Sequence, residues 1–345
     1  MISKIIVEEL VVAAQRAIQA AESIVIVAHV APDGDALGSS LGMWHYLMEK
    51  GKNSIVIMPS AYPDFYHWMP GIEHVLIYES DKDLCDTHIQ AADLIIALDF
   101  NTPGRLAKME EAILNATAKK INIDHHLLPS DFADIIISHP EISSTSELVF
   151  RLICRMGDFT TINIAGAECI YTGMMSDTGG FTYNSNDREI YLIISELLKL
   201  GVDKDDIYRK VYNTYSAQRL RLMGYCTHEK MKLYPDNKAA LITLTADEMK
   251  QFDFKIGDDE GFSNIPLSIK DVVFSVLMRE DPDKIKISLR SEGGFPANKF
   301  AAEVFDGGGH LNASGGEFYG SMENAIRLFE EKLDDYIVFL EEDPS

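Results

Sequence analysis

At 345 residues the chain is long enough for two cores, and 46% hydrophobic with 25% charged residues is a globular composition. A formal net charge of −23 argues against general binding of duplex nucleic acid, whose affinity comes from phosphate neutralised by a basic face. No apolar run approaches the roughly 18 residues a membrane span needs, and the four cysteines form no C-x-x-C pair, so neither a disulfide framework nor a thiolate zinc site is indicated.

In chain order, the first segment carries Glu8 and Glu9 inside its apolar run and reads as an amphipathic helix, not a signal peptide. A cytoplasmic protein is expected. IVIVA (24–28) reads as a strand and precedes the helical ALGSSLGMWHYLMEKG, with Gly51 as C-cap. NSIVIM (53–58), HVLIY (74–78), LIIAL (94–98), INI (121–123) and residues 134–137 read as further strands. RLAKMEEAILNATAKK between two of them has a helical pattern, and Ser144 and Glu147 have capping-box spacing at the start of another helix. Strands alternating with helices predict an α/β fold whose parallel sheet is covered on both faces. Residues 186–228 are helix-rich and charged. KAALITL, DVVFSVLMRE and KIKISLRS are then β-like, followed by the glycine-dense GGGHLNASGG (307–316) and a last helix in MENAIRLFEEKLDDYIVFLEE. The expected organisation is an N-terminal parallel-sheet domain at 1–185, a helical linker at 186–235 and a smaller C-terminal α/β domain at 236–345, with the active site in the cleft between the domains.

Ligands of parallel α/β sheets bind beyond the carboxyl ends of the strands. In HVAPDGDALGSS (29–40), His29, Asp33 and Asp35 lie just past the first strand. Asp99 directly follows LIIAL, and Asp124, His125 and His126 directly follow INI. Asp177, in MMSDTGG, precedes a glycine pair. Taken singly, PDGD is a turn, Asp99 a helix cap and Asp177 a turn former. Taken together they bring carboxylates and imidazoles to one sheet edge, where the carboxylates would repel one another without cations between them. A donor set without thiolates suits Mn²⁺, Mg²⁺ or Fe²⁺. Two such ions sharing a carboxylate suit phosphoester hydrolysis.

HVAPDGDALGS, the aspartate of ALDF, DHH and SDTGG resemble the four ordered motifs of the DHH phosphoesterase superfamily, and KISLRS with GGGHLNASGG resembles its DHH-associated substrate-binding domain. The resemblance spans nearly the whole chain and is nearest the nanoRNase/pAp-phosphatase branch. It implies two Mn²⁺ ions, with Mg²⁺ or Fe²⁺ as alternatives. His29, Asp33 and Asp99 would hold one ion; Asp35, Asp99, His125 and Asp177 would hold the other. His126 would face the scissile phosphate, and Asp124 would orient a histidine ring or a loop. Arg290 and Ser291 would donate to a terminal phosphate. Gly307, Gly308 and Gly309 would let backbone amides approach an anion, and His310 would touch phosphate or stack on a base. Arg105 could reach phosphate or form a salt bridge on a helix face.

The implied partners are short RNA and nucleotides, not duplex nucleic acid or membrane, with a homodimer as one assembly open to the chain. The implied activity is hydrolysis of pApA-like oligoribonucleotides to mononucleotides and removal of the 3′-phosphate of pAp. The rival activity is cyclic-dinucleotide (c-di-AMP) hydrolysis. A family II pyrophosphatase and a non-catalytic nucleotide-binding protein are the remaining alternatives.

Overall fold

The computed structural model describes residues 3–340. The chain divides into two compact units, Met1–Thr214 and Tyr215–Ser345. In the first, strands β1 (Ser23–Val27), β2 (Asn53–Met58), β3 (Leu76–Ile77), β4 (Leu94–Leu98), β5 (Lys119–Asp124) and β6 (Ile135–Ser138) form one sheet in the order β3-β2-β1-β4-β5-β6. Every pairing is parallel. Its helices are α1 (Glu8–Ala20), α2 (Gly34–Glu49), α3 (Lys82–Ala91), α4 (Glu110–Asn115), α5 (Thr145–Arg155), α6 (Ile164–Asp177), α7 (Arg188–Lys199) and α8 (Lys204–Tyr212).

The unbroken β-branched run of β1 follows from burial on both faces. Ile24 and Ile26 join a core with residues of α1, α2, α5, α6 and α7, whereas Val25 and Val27 face a second core containing Cys85 and Ile89 of α3 and Ile113 of α4. Each such side chain contributes about 1.5–3 kcal/mol by leaving water. The helical pattern at 105–120 is realised only in part. A 3-10 turn at Pro103–Met109 contains Ala107 at φ 49°, α4 is short, and Lys119 already belongs to β5. Residues past Leu340, which include the end of the last helical pattern, lie outside the described residues.

The second unit contains α9 (Ala217–Tyr225), β7 (Lys232–Tyr234), β8 (Ala239–Leu244), α10 (Ala246–Gln251), β9 (Phe274–Glu280), β10 (Ile285–Ser291), α11 (Ala297–Val304), β11 (Gly308–His310), β12 (Ala313–Phe318) and α12 (Met322–Leu333). The helical stretch expected as a linker is thus divided, with α7 and α8 in the first unit and α9 in the second. The second sheet has the order β11-β12-β10-β9-β8-β7, and only β8 and β9 run parallel. Ile285, Ile287 and Leu289 of β10 pack on Phe300 of α11 and Phe329 of α12. By strand alternation Lys286, Ser288 and Arg290 take the opposite face. The glycine-dense stretch is not an open loop: Gly308–His310 pairs antiparallel with β12. Among the described residues no helix is long and apolar enough to cross a membrane.

Candidate functional site

β1 and β4 are adjacent, and the strand order reverses between them, so a crevice opens at their carboxyl ends. Asp99 leaves β4 there at φ 65°, a left-handed conformation uncommon for a residue with a side chain. Its backbone N–H donates to Ile123 O at 3.1 Å. The turn presents the two carboxylate oxygens to different histidines: Oδ2 lies 3.4 Å from His29 Nε2, and Oδ1 lies 3.6 Å from His125 Nε2.

Around Asp99 the other candidates fall into two groups. His29 Nε2 is also 3.7 Å from Asp33 Oδ2. Asp33 caps α2, its Oδ1 accepting from Asp35 N and Ala36 N at 3.0 Å each, so Oδ2 is the oxygen turned to the histidine. His125 Nε2 is 3.3 Å from Asp177 Oδ2 and 3.9 Å from Asp35 Oδ2. His29–Asp33–Asp99 and Asp35–His125–Asp177 each gather their ligand atoms within 4.8 Å of one another, as a metal ion requires. A third grouping is Asp99, Asp124 and His126.

The histidine tautomers test whether cations suit this cluster. His29 Nδ1 lies 2.9 Å from Val30 O and His125 Nδ1 lies 3.1 Å from Ile142 O. A carbonyl can only accept, so each Nδ1 carries a proton, and each Nε2 is aimed at carboxylate oxygens. Two lone-pair-bearing atoms held so close attract only through a proton or a metal cation between them. Proton affinity responds accordingly. Burial pushes the His29 imidazole down, but Asp33 and Asp99 outweigh it and raise its pKa to about 10. Burial likewise opposes, and Asp99, Asp35 and Asp124 overcome, so that His125 is raised. Asp35 is pushed well up by burial and by the charges of Asp99 and Asp177. Burial would also raise Asp99, yet His29, His126 and His125 hold it below the usual carboxylate range. The buried Asp124 Oδ2 has no hydrogen-bond partner. A buried oxygen-and-imidazole cluster deficient in positive charge fits divalent cations of the manganese or magnesium kind. All four cysteines are free thiols.

His126 is half-buried, and its Nδ1 donates to Asp124 Oδ1 at 2.7 Å. Arg105 is exposed and forms no ion pair among the described residues; its carbonyl accepts from Val30 N at 2.7 Å, and its charge opposes protonation of His29. His45 bonds the Pro70 carbonyl and His139 pairs with Glu141, so both have structural partners. Sequence reasoning missed Thr145 and Ser146, which hydrogen-bond Asp35 and Asp99 from the start of α5. The capping-box spacing of Ser144 and Glu147 was the available signal. Only half of that box forms: Ser144 Oγ accepts from Glu147 N, while the Glu147 carboxylate goes to Ser143 and Arg151.

In the second unit Arg290 is half-buried on the polar face of β10. Ser291 has the parity of Ile287 and Leu289, is buried, and donates its hydroxyl to Phe295 O at 2.7 Å while accepting from Asn312 Nδ2. The glycines differ too. A Cβ on Gly307 would lie 2.0 Å from Gly315 O and one on Gly309 2.6 Å from Ala313 O, whereas one on the exposed Gly308 would meet nothing. His310 is half-buried and paired with Ala313 across the hairpin.

Two domain families match the chain: the DHH family, N-terminal domain, over residues 23–174, and the DHHA1 domain over residues 250–338. The chain belongs to the DHH family. A crystal structure of an exopolyphosphatase-related protein from Bacteroides fragilis superposes on this DHH protein with a TM-score of 0.93 and 59% identity, covering 99% of this chain and 100% of that one. The bifunctional oligoribonuclease and PAP phosphatase NrnA of Thermus thermophilus is 28% identical over 90% of this chain and 90% of its own length. The cyclic-di-AMP phosphodiesterase PdeA of Listeria monocytogenes is 27% identical over 87% of this chain, which spans 45% of that protein. In this DHH chain the matched N-terminal region contains His29, Asp33, Asp35, Asp99, His125 and His126, and the DHHA1 region contains Arg290 and His310.

Proposed function

We propose that the chain is a two-metal phosphoesterase that hydrolyses short oligoribonucleotides such as pApA to mononucleotides and removes the 3′-phosphate of pAp. The observation that carries this reading is the single carboxylate of Asp99 shared by two histidine–carboxylate groups. His29, Asp33 and Asp99 would hold one Mn²⁺; Asp35, Asp99, His125 and Asp177 would hold a second. When bound, two such cations lower the pKa of a shared water and stabilise charge on the attacking and leaving oxygens of a phosphoester.

The remaining groups act on the substrate. Asp124 fixes the His126 ring through Nδ1–H, and in the imidazolium form of that ring Nε2–H would donate to a phosphate oxygen and stabilise developing charge. Arg105, an exposed cation that forms no ion pair among the described residues, adds a phosphate contact next to the His29 loop. In the second unit Arg290 and His310 bind the nucleotide, and the exposed Gly308, with open space where a side chain would stand, lets an anion approach the hairpin backbone. Ser291 contributes by holding the turn behind Arg290. Similarity to NrnA over the length of both chains supports the oligonucleotide and pAp substrates.

Similarity to PdeA supports a second reading, opening of cyclic di-AMP by the same site. Initial rates on pAp, pApA, longer RNA, cyclic di-AMP, pyrophosphate and polyphosphate with Mn²⁺ separate the two. The first reading expects pApA and pAp to lead. A preference for cyclic di-AMP selects the second, and turnover of none of the six substrates overturns both.

A further inference from the structure

The first turn of α5 gathers three hydrogen-bond donors onto two carboxylates that arrive from different elements. Thr145 N donates to Asp35 Oδ2 at 2.6 Å, and Ser146 N donates to Asp35 Oδ1 at 2.9 Å. The Thr145 hydroxyl donates to Asp99 Oδ1 at 2.9 Å. All four residues are buried. Thr145 therefore touches one carboxylate from each of the two histidine–carboxylate groups, through two different atoms.

We infer that Thr145 is the positioning residue that sets the relation between the two cation positions; this rests on reading the cluster as a two-cation centre. Its hydroxyl stops the Asp99 carboxylate from rotating, so Oδ1 stays on the His125 side while Oδ2 stays on the His29 side. Its amide holds Asp35 against the positive end of α5, beside His125. The turn that carries Thr145 is itself fixed from behind. Glu147 accepts from Ser143 Oγ at 2.6 Å and from Arg151 Nε at 2.8 Å, and Arg151 reaches Glu189 of α7 at 2.9 Å. Gly173 of α6 supplies the space: a Cβ there would lie 1.9 Å from Ser146 Oγ and 2.8 Å from Asp35 Oδ1.

The asymmetry of the hydroxyl contact makes the consequence specific. Thr145 holds Asp99 Oδ1 and Asp35, both on the His125 side, and contacts neither Asp33 nor His29. Loss of the hydroxyl should weaken the His125-side ion and spare the His29-side ion. Partners that orient ligands in this way are generally worth about 10- to 100-fold in metal affinity.

Titration of the full chain with Mn²⁺ alone, followed by calorimetry and by electron paramagnetic resonance, reads this without substrate. Wild-type protein should take two ions whose spins couple. Thr145→Val should bind one ion as wild type does, bind the second at least about tenfold more weakly, and lose the coupled signal. Thr145→Ser, which keeps the hydroxyl, should restore both. Thr145→Ala reads the same loss if the valine variant does not fold. Two tight, coupled ions in Thr145→Val or Thr145→Ala overturn the inference and leave the two-cation reading standing. Wild-type protein that binds no pair of Mn²⁺ ions removes that reading and the inference with it.

Discussion

Asp99 shows how much one residue can carry. Its left-handed backbone costs on the order of 1–3 kcal/mol in isolation, and the site uses that geometry to point two oxygens at two imidazoles. Asparagine tolerates the same backbone conformation, so Asp99→Asn removes charge without imposing new strain. It should lower Mn²⁺ affinity and turnover by at least about a hundredfold and also lower the thermal melting of metal-free protein, since His29 and His125 lose the buried carboxylate that pairs with them. Calorimetric titration and a melting curve check both halves. Arg105 makes a contrasting prediction. It is exposed and pairs with no carboxylate among the described residues, so Arg105→Ala should raise KM for pApA by about tenfold, a lost charged contact of roughly 1.4 kcal/mol, with Mn²⁺ affinity unaffected. The acidic and imidazole ligands were legible because each follows a strand that is plain in the sequence. Thr145 and Ser146 were not, because uncharged residues at a helix start look the same whether they serve the helix alone or a carboxylate from another strand.

At the scale of elements, α2 and α6 cross where Gly38 faces Gly173, and a Cβ on Gly38 would lie 2.6 Å from Cys169 O and 2.7 Å from Gly173 N. Backbone cannot yield as a side chain can, so Gly38→Ala should destabilise by about 1–3 kcal/mol in chemical denaturation. Gly34 likewise supplies room: a Cβ there would lie 2.4 Å from Ser176 Oγ and 2.6 Å from the Tyr66 hydroxyl. Strand β10 separates two neighbours by parity. Arg290→Ala should raise KM for pApA, whereas Ser291→Ala should cost about 1 kcal/mol of stability through its lost hydrogen bonds. That difference was present in the alternation of IKISLRS, where Ser291 falls in step with Ile285, Ile287 and Leu289. Helix α10 carries a pH-dependent term. Burial opposes it, but Lys230, the Thr245 amide and Tyr225 bring Glu248 down to about 2, from an ordinary value of 4.5. A depressed carboxylate stabilises the fold above its unfolded pKa, and this is lost as pH falls from about 4.5 toward 2. Glu248→Gln should therefore cost on the order of 1–2 kcal/mol at pH 7, and its denaturation midpoint should converge on wild type near pH 2–3.

For the whole molecule, charge decides partner class. With a net charge of −23, long-range forces repel polyanions, and attraction would have to come from the few local groups at the site and from the cations proposed there. A 20-base-pair duplex at roughly physiological salt should show no measurable retention, while pApA is turned over under the same conditions. Gel retardation alongside a hydrolysis assay checks this pair of outcomes.

Local information in the sequence was enough to determine the alternating strands and helices, the parallel sheet and the ordered HVAPDGD, Asp99, DHH and Asp177 ligand candidates, because strand runs and their following residues are read within short windows. The helical pattern at 105–120 broke where Ala107 turned left-handed and β5 claimed Lys119, which no local periodicity shows. The resemblance already implied that Asp99 is the shared carboxylate; only the tertiary structure decided which of its oxygens faces which histidine, and that the start of α5 clamps Asp35 and Asp99. Those are relations between residues 46 to 111 positions apart, set by how β4, α2 and α5 converge and not by any property of the residues singly.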